Sequence, residues 1–149
     1  MGLLKNMTES VAPEKQAGDD VLLLHGMMCM IYADGQMDHA EKATLNAFYM
    51  TLPEYEGTNF NVVFNDAAQV CKKYDSMSDS LNALKELSSP EAKKKCFVLA
   101  VDIALASGDV DSAEDEMLEA MQRILEIDEE FAVQTINTLS TKYALAKAA

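Results

Sequence analysis

The chain has 149 residues, of which 49% are hydrophobic and 25% charged, so it can bury a core and is too apolar for a disordered chain. Its formal net charge of -13 argues against nucleic-acid binding, which needs a basic surface, and suits cations or basic partners instead. Only six glycines and three prolines occur, a composition that favours helices.

Three cysteines and the distribution of apolar residues indicate in which cellular compartment the protein is found. Cys29, Cys71 and Cys96 are widely spaced in apolar surroundings without a Cys-x-x-Cys motif, so we expect buried free thiols in a reducing compartment. The first residues lack the apolar region of a secretory signal, and no run reaches the roughly 18 apolar residues of a membrane span. We therefore expect a soluble cytoplasmic protein.

The pattern of apolar residues predicts an all-α fold, a single-domain bundle of about seven helices. Residues 1–17 have weak signals, and we expect a weakly structured N-terminal segment before a helical domain over 18–149. The predicted helices cover about 21–31, 39–52, 59–74, 77–87, 90–106, 112–127 and 129–146. The first helix and the part of the fifth from Cys96 to Ala106 are apolar on nearly all sides, which is typical of helices at the centre of a bundle.

The chain contains an internal repeat. Residues 31–48 (IYADGQMDHAEKATLNAF) align without gaps to residues 104–121 (ALASGDVDSAEDEMLEAM), with seven of eighteen positions identical. Each copy is the end of an apolar helix, a Gly turn and the start of an amphipathic helix. We interpret the repeat as a duplicated unit, and it predicts internal pseudo-two-fold symmetry.

Helix capping is one explanation of the repeated motif. Gly35 and Gly108 can take the left-handed conformation that ends a helix. Asp38 and Asp111 then stand at the N-cap of the next helix, and a Glu follows three residues later in each copy, at the spacing of a capping box.

A metal site is the other explanation. The second half of each motif fits a calcium loop, but Met30 and Tyr32 occupy positions where an EF-hand needs oxygen ligands, which excludes a true EF-hand. What remains are two carboxylate clusters suited to Ca²⁺, Mg²⁺ or Mn²⁺: Asp34, Asp38 and Glu41, and Asp109, Asp111 and Glu114. The six carboxylates can converge only if the two central helices run parallel, and the sequence leaves their direction open.

The motifs resemble the TerB-like family, small helical proteins of bacterial tellurite-resistance systems. The resemblance rests on residues 33–42 (ADGQMDHAEK), 106–114 (ASGDVDSAE) and 89–95 (SPEAKKK), and it covers about 18–128. It implies a seven-helix bundle with acidic corners and a non-enzymatic, stress-responsive cytoplasmic adaptor with protein partners, near a membrane-associated resistance complex. The family usually has Asp at the position of Ser107, just before the Gly. Asp109 is the candidate to replace that Asp, so the resemblance does not imply the same ligands in the two copies of the motif.

Two further groups of residues are candidates for chemistry. His25 and Cys29 share a helix face and can form a nucleophilic or metal-binding pair, but without an evident orienting residue we interpret them as core residues. Asp102 interrupts an apolar helix, and we expect a hydroxyl, backbone or Lys partner for it, with a role in a site as the alternative. No phosphate loop, catalytic triad or His-rich site is present.

These observations leave two functional interpretations open. The first is a non-enzymatic stress-response module that binds a divalent cation at the two acidic corners. The second is an interaction adaptor whose acidic corners only cap helices and bind no metal.

Overall fold

The computed structural model describes residues 17–33, 38–108 and 110–146. In these residues it contains seven α-helices and no strand: α1 (Asp19–Ile31), α2 (His39–Met50), α3 (Phe60–Lys72), α4 (Met77–Ser80), α5 (Pro90–Ala106), α6 (Ser112–Ile124) and α7 (Glu129–Tyr143). Two 3₁₀ segments, Pro53–Tyr55 and Leu81–Glu86, join them. The all-α prediction is confirmed, whereas the predicted N-terminal segment lies almost wholly outside the described residues.

Helix α1 is the centre of the bundle. Residues 21–30 are all buried, and the helix packs against α5, α3, α2, α6 and the segment Leu81–Glu86. Helix α5 is the second central helix, with seven buried residues along its inner face. Both assignments confirm the expectation from the apolar stretches Val21–Ile31 and Cys96–Ala106, because a stretch of helix that is apolar on nearly all sides is stable only when neighbouring helices surround it.

The two central helices run in the same direction. Near their N-termini, Asp19 accepts a hydrogen bond from the backbone N–H of Ser88 at 3.0 Å, just before α5 begins. In the middle, Gly26 faces Cys96 so closely that a Cβ added to the glycine would lie 2.7 Å from the Cys96 Sγ. At the other end, Ile31 and Ala106, the last residues of the two helices, line one cavity. Three points of contact in the same order along both helices establish parallel packing.

The prediction of one helix over residues 77–87 is wrong. Helix α4 ends after a single turn at Ser80, and the chain continues as a 3₁₀ segment. Side chains replace the backbone donors of an α-helix here: Ser80 Oγ donates to the Met77 carbonyl at 2.6 Å and Asn82 Nδ2 donates to the Asp79 carbonyl at 3.0 Å. Local side-chain bonds of this kind compete with α-helical pairing.

The close approach at Gly26 predicts a steric penalty for a larger residue. We expect Gly26→Ala to destabilise the protein by about 1–2 kcal/mol, because overpacking against a fully buried thiol outweighs the higher helix propensity of alanine. In a Cys96→Ala background the same change should lose most of its cost, since the clashing sulfur is absent. Urea unfolding of the four proteins measures this coupling, and equal effects of Gly26→Ala in both backgrounds would contradict it.

Candidate functional site

Each acidic corner is a complete capping box. At the start of α2, Asp38 Oδ1 accepts from the Glu41 N–H at 2.8 Å, and Glu41 Oε1 accepts from the Asp38 N–H at 3.1 Å. At the start of α6, Asp111 and Glu114 form the same pair of bonds, at 2.8 and 3.3 Å. The capping prediction is confirmed in both copies.

The turn before the second corner also has the expected backbone. Helix α5 ends at Ala106, and Gly108 follows with φ of 96°, in the left-handed region that glycine adopts without a steric cost. Gly35, the equivalent residue of the first corner, lies outside the described residues.

The two corners face each other across one cavity of about 350 Å³. Its polar lining includes the four capping carboxylates, those of Asp38, Glu41, Asp111 and Glu114. The two aspartates are exposed and the two glutamates are half-buried. The parallel central helices therefore bring these residues of both acidic corners to the same end of the bundle, which the sequence did not decide.

The remaining lining of the cavity was not recognised from the sequence. Met30, Ile31, Ile103 and Ala106, from the last turns of α1 and α5, form an apolar wall. Thr44 and Ser107 add hydroxyl groups, which donate to the carbonyls of Ala40 and Ala104 within their own helices. These residues carry no sequence signal, because their common position depends on the packing of two helices about seventy residues apart.

The metal assignment stays a prediction. Within residues 17–33, 38–108 and 110–146, no group of three or more His, Cys, Asp or Glu side chains is arranged to hold a metal ion. Asp34 and Asp109, the two predicted ligands that do not belong to a capping box, lie outside the described residues. Four of the six predicted ligands therefore have known positions, around the same cavity.

A second polar cluster surrounds His25 in the core. The fully buried imidazole donates from Nε2 to the Ser80 carbonyl at 2.9 Å, which leaves Nδ1 as an acceptor for the Cys71 thiol at 3.4 Å. Cys29 Sγ lies 3.6 Å from both His25 Nε2 and Ser80 Oγ. Helical spacing in the sequence predicted only the pair of His25 and Cys29, because Cys71 and Ser80 are 46 and 55 residues away from His25 along the chain.

The environment of this cluster favours a structural role. Burial raises the pKa of the Cys29 and Cys71 thiols, so both are protonated donors at neutral pH and not thiolate nucleophiles. Burial also lowers the pKa of His25, against the opposing effect of its bond to the Ser80 carbonyl. The interpretation of His25 and Cys29 as core residues is supported, whereas Cys71 is only partly buried, contrary to expectation.

Asp102 has the partners that its position in an apolar helix required. Lys142 Nζ contacts both carboxylate oxygens, at 3.1 and 3.0 Å, and the Tyr143 hydroxyl donates to Oδ1. Both partners belong to the last turn of α7, so this carboxylate attaches α7 to the central helix α5. The structural interpretation of Asp102 is the one that fits these contacts.

The neutral state of His25 predicts a pH dependence of folding. The unfolded chain protonates His25 near pH 6.5 while the folded chain keeps it neutral to lower pH, so the unfolded state binds more protons in that window. We expect the free energy of unfolding to fall by up to about 1.4 kcal/mol per pH unit as the pH drops below 6.5.

Urea unfolding between pH 7.5 and 5 measures this effect, and a matched pair of variants isolates its source. His25→Gln should remove this contribution to the pH dependence, whereas His39→Gln, at the exposed second histidine, should retain it. An unchanged pH profile in His25→Gln would contradict the assignment.

Comparison with known proteins gives the family. Searches against curated proteins and against solved structures return no match. In the described part of the chain, no helix is both long and apolar enough to cross a membrane. The family model of tellurite resistance protein TerB matches residues 21–135, from the start of α1 into α7. Because this match covers most of the 149 residues, the chain belongs to the TerB family of tellurite resistance proteins.

Proposed function

We propose that this TerB-family chain is a non-enzymatic, cytoplasmic stress-response module that binds a divalent cation between its two acidic corners. One observation supports the proposal above all: two capping boxes about seventy residues apart in sequence line the same cavity. A helix cap needs no second cap beside it, so capping accounts for each corner but not for their proximity.

The charge of the cavity favours a cation. Asp38, Glu41, Asp111 and Glu114 are four carboxylates around one cavity, and a cavity lined by charges of one sign attracts ions of the opposite sign. Each carboxylate commits one oxygen to its capping box, and a carboxylate has two oxygens with about four acceptor sites. Capping and cation binding are therefore compatible in the same side chains.

The donor atoms select the class of cation. Oxygen ligands without His or Cys suit Ca²⁺, Mg²⁺ or Mn²⁺. A cavity of about 350 Å³ is larger than one ion needs, so water and backbone carbonyls would complete the coordination. Asp34 and Asp109 stand in sequence between residues that line the cavity, and we propose them as the additional charged ligands of the two corners.

The experiment is a titration of metal-free protein with each of the three cations. We expect binding heat and a rise in Tm, because a ligand that binds only the folded state at a hundred times its Kd stabilises by about 2.7 kcal/mol. The double variant Asp38→Asn/Asp111→Asn should lose most of this effect and remain folded, since Asn caps helices about as well as Asp.

A matched control is available at the start of α7. Asp128 is also an N-cap residue, accepting from the Phe131 N–H at 2.7 Å, but it does not line the cavity. Asp128→Asn should leave cation binding unchanged. Absence of heat and of a Tm change at millimolar cation would refute the proposal.

A second function is favoured by the completeness of the capping boxes, which give all four carboxylates a structural role without a metal. In this case the chain is an adaptor for a protein partner, such as a component of a membrane-associated resistance complex, and its acidic corners only start helices. The adaptor function predicts that Asp38→Asn/Asp111→Asn costs a little stability and leaves partner capture intact. Loss of partner capture by the folded variant would count against it.

A further inference from the structure

Helix α2, which carries the first acidic corner, is held on the bundle by few buried side chains. Two of its twelve residues are buried, Leu45 and Tyr49, whereas ten of the thirteen residues of α1 are buried. An element with few buried apolar contacts is displaced at a low free-energy cost, so α2 is the wall of the cavity that moves most easily. Contacts that fix α2 against α5 therefore help to set the separation of the two acidic corners.

Lys142, in the last turn of α7, contacts both of these helices. Its Nζ lies 3.1 and 3.0 Å from the two carboxylate oxygens of Asp102 on α5. The same Nζ lies 5.7 Å from the centre of the Phe48 ring on α2, within the range of a cation–π interaction. The hydroxyl of Tyr143 donates to Asp102 beside it. We call these four residues, Phe48, Asp102, Lys142 and Tyr143, the α7 latch.

The α7 latch lies within one helical turn of the cavity on both helices. On α5, Asp102 precedes Ile103 and stands four residues before Ala106, and both of these residues line the cavity. On α2, Phe48 stands four residues after Thr44, which also lines it. Residues four apart lie above one another on the same side of a helix. A displacement of α2 at Phe48 is therefore transmitted to the wall of the cavity at Thr44.

The end of α7 is attached by polar contacts. Ala132 and Thr135 are buried in the first half of the helix and Leu139 packs on the core, but residues 140–146 are all exposed. The α7 latch, rather than burial, thus holds this end of the helix. Ion pairs at such a partly exposed position contribute little free energy and are weakened by salt, so the end of α7 can detach without disruption of the core.

We propose that the α7 latch positions the two walls of the cavity, so that docking of the end of α7 and binding of a cation in the cavity are coupled. The coupling rests on the proposed function, since it concerns the affinity of the same cavity. With the latch closed, Lys142 holds α2 against α5 and keeps the acidic corners at a fixed separation. With the latch open, α2 must be ordered when the cation binds, and a partner that displaces the end of α7 lowers the affinity.

A charge-neutral double variant tests the coupling. Asp102→Asn/Lys142→Met removes the ion pair without a change in net charge or a large change in helix propensity. In calorimetric titrations with Ca²⁺, Mg²⁺ and Mn²⁺ we expect Kd to rise at least about threefold, the effect of a residue that modulates a site without touching its ligand. Lys142→Arg should keep the wild-type Kd, because a guanidinium also binds a carboxylate and stacks on an aromatic ring.

The matched control is a second ion pair on α5. Lys95 Nζ lies 2.6 Å from Glu54, towards the end of α5 that is remote from the cavity. Glu54→Gln/Lys95→Met is also charge-neutral and should leave Kd unchanged, with urea unfolding to confirm that both double variants are folded. If wild type and the latch variant bind equally, or both double variants weaken equally, the coupling is overturned while cation binding stands. Absence of binding heat in the wild type would refute the proposed function and the coupling with it.

The coupling can also be measured in the wild-type chain, because it is reciprocal. A saturating cation should slow amide hydrogen exchange in the last turn of α7, at residues 140–143, more than in α3, which does not line the cavity. Unchanged exchange in this turn, at a concentration where calorimetry shows the cavity to be saturated, would contradict the proposal.

Discussion

The parallel packing of α1 against α5 is the constraint on which the other features depend. It is held at one end by the bond of Asp19 to Ser88 and in the middle by the close approach of Gly26 to Cys96. A glycine at the contact lets the two helices come closer than any side chain would permit. The consequence appears at the other end, where α1 and α5 both end and α2 and α6 both begin beside one cavity.

Helix capping and cation binding make similar demands on a sequence. A capping box needs acidic side chains at the N-cap and in the first turn, where the N–H groups and the helix dipole stabilise negative charge. A site for Ca²⁺, Mg²⁺ or Mn²⁺ needs clustered oxygen ligands, which the same acidic side chains supply. The local motif alone therefore cannot distinguish them, and the relation between the two corners becomes the informative feature. Asp38 and Asp111 line the same cavity, and a helix cap does not need a second cap beside it.

Two polar side chains on the central helices, those of His25 and Asp102, connect this pair to the outer helices. His25 joins α1 to α3 through Cys71 and to the last residue of α4 through the Ser80 carbonyl. Asp102 joins α5 to α7 through Lys142 and Tyr143. Each is a polar interruption in an otherwise apolar stretch of helix and is bonded by groups from another helix. His25 is fully buried, where a polar group needs such partners, whereas Asp102 is only partly buried.

The sequence by itself determined the fold class, the central helices and the capping boxes, because apolar periodicity and cap spacing are local and involve residues within one or two turns. It failed over residues 77–87, where Ser80 and Asn82 divert backbone carbonyls from the helix. Only the tertiary structure decided that α1 and α5 run parallel, that four carboxylates share a cavity, and that Cys71 reaches His25. These relations join residues about fifty to seventy positions apart, and the packing of buried helix faces that brings them together leaves no periodic signal in the chain.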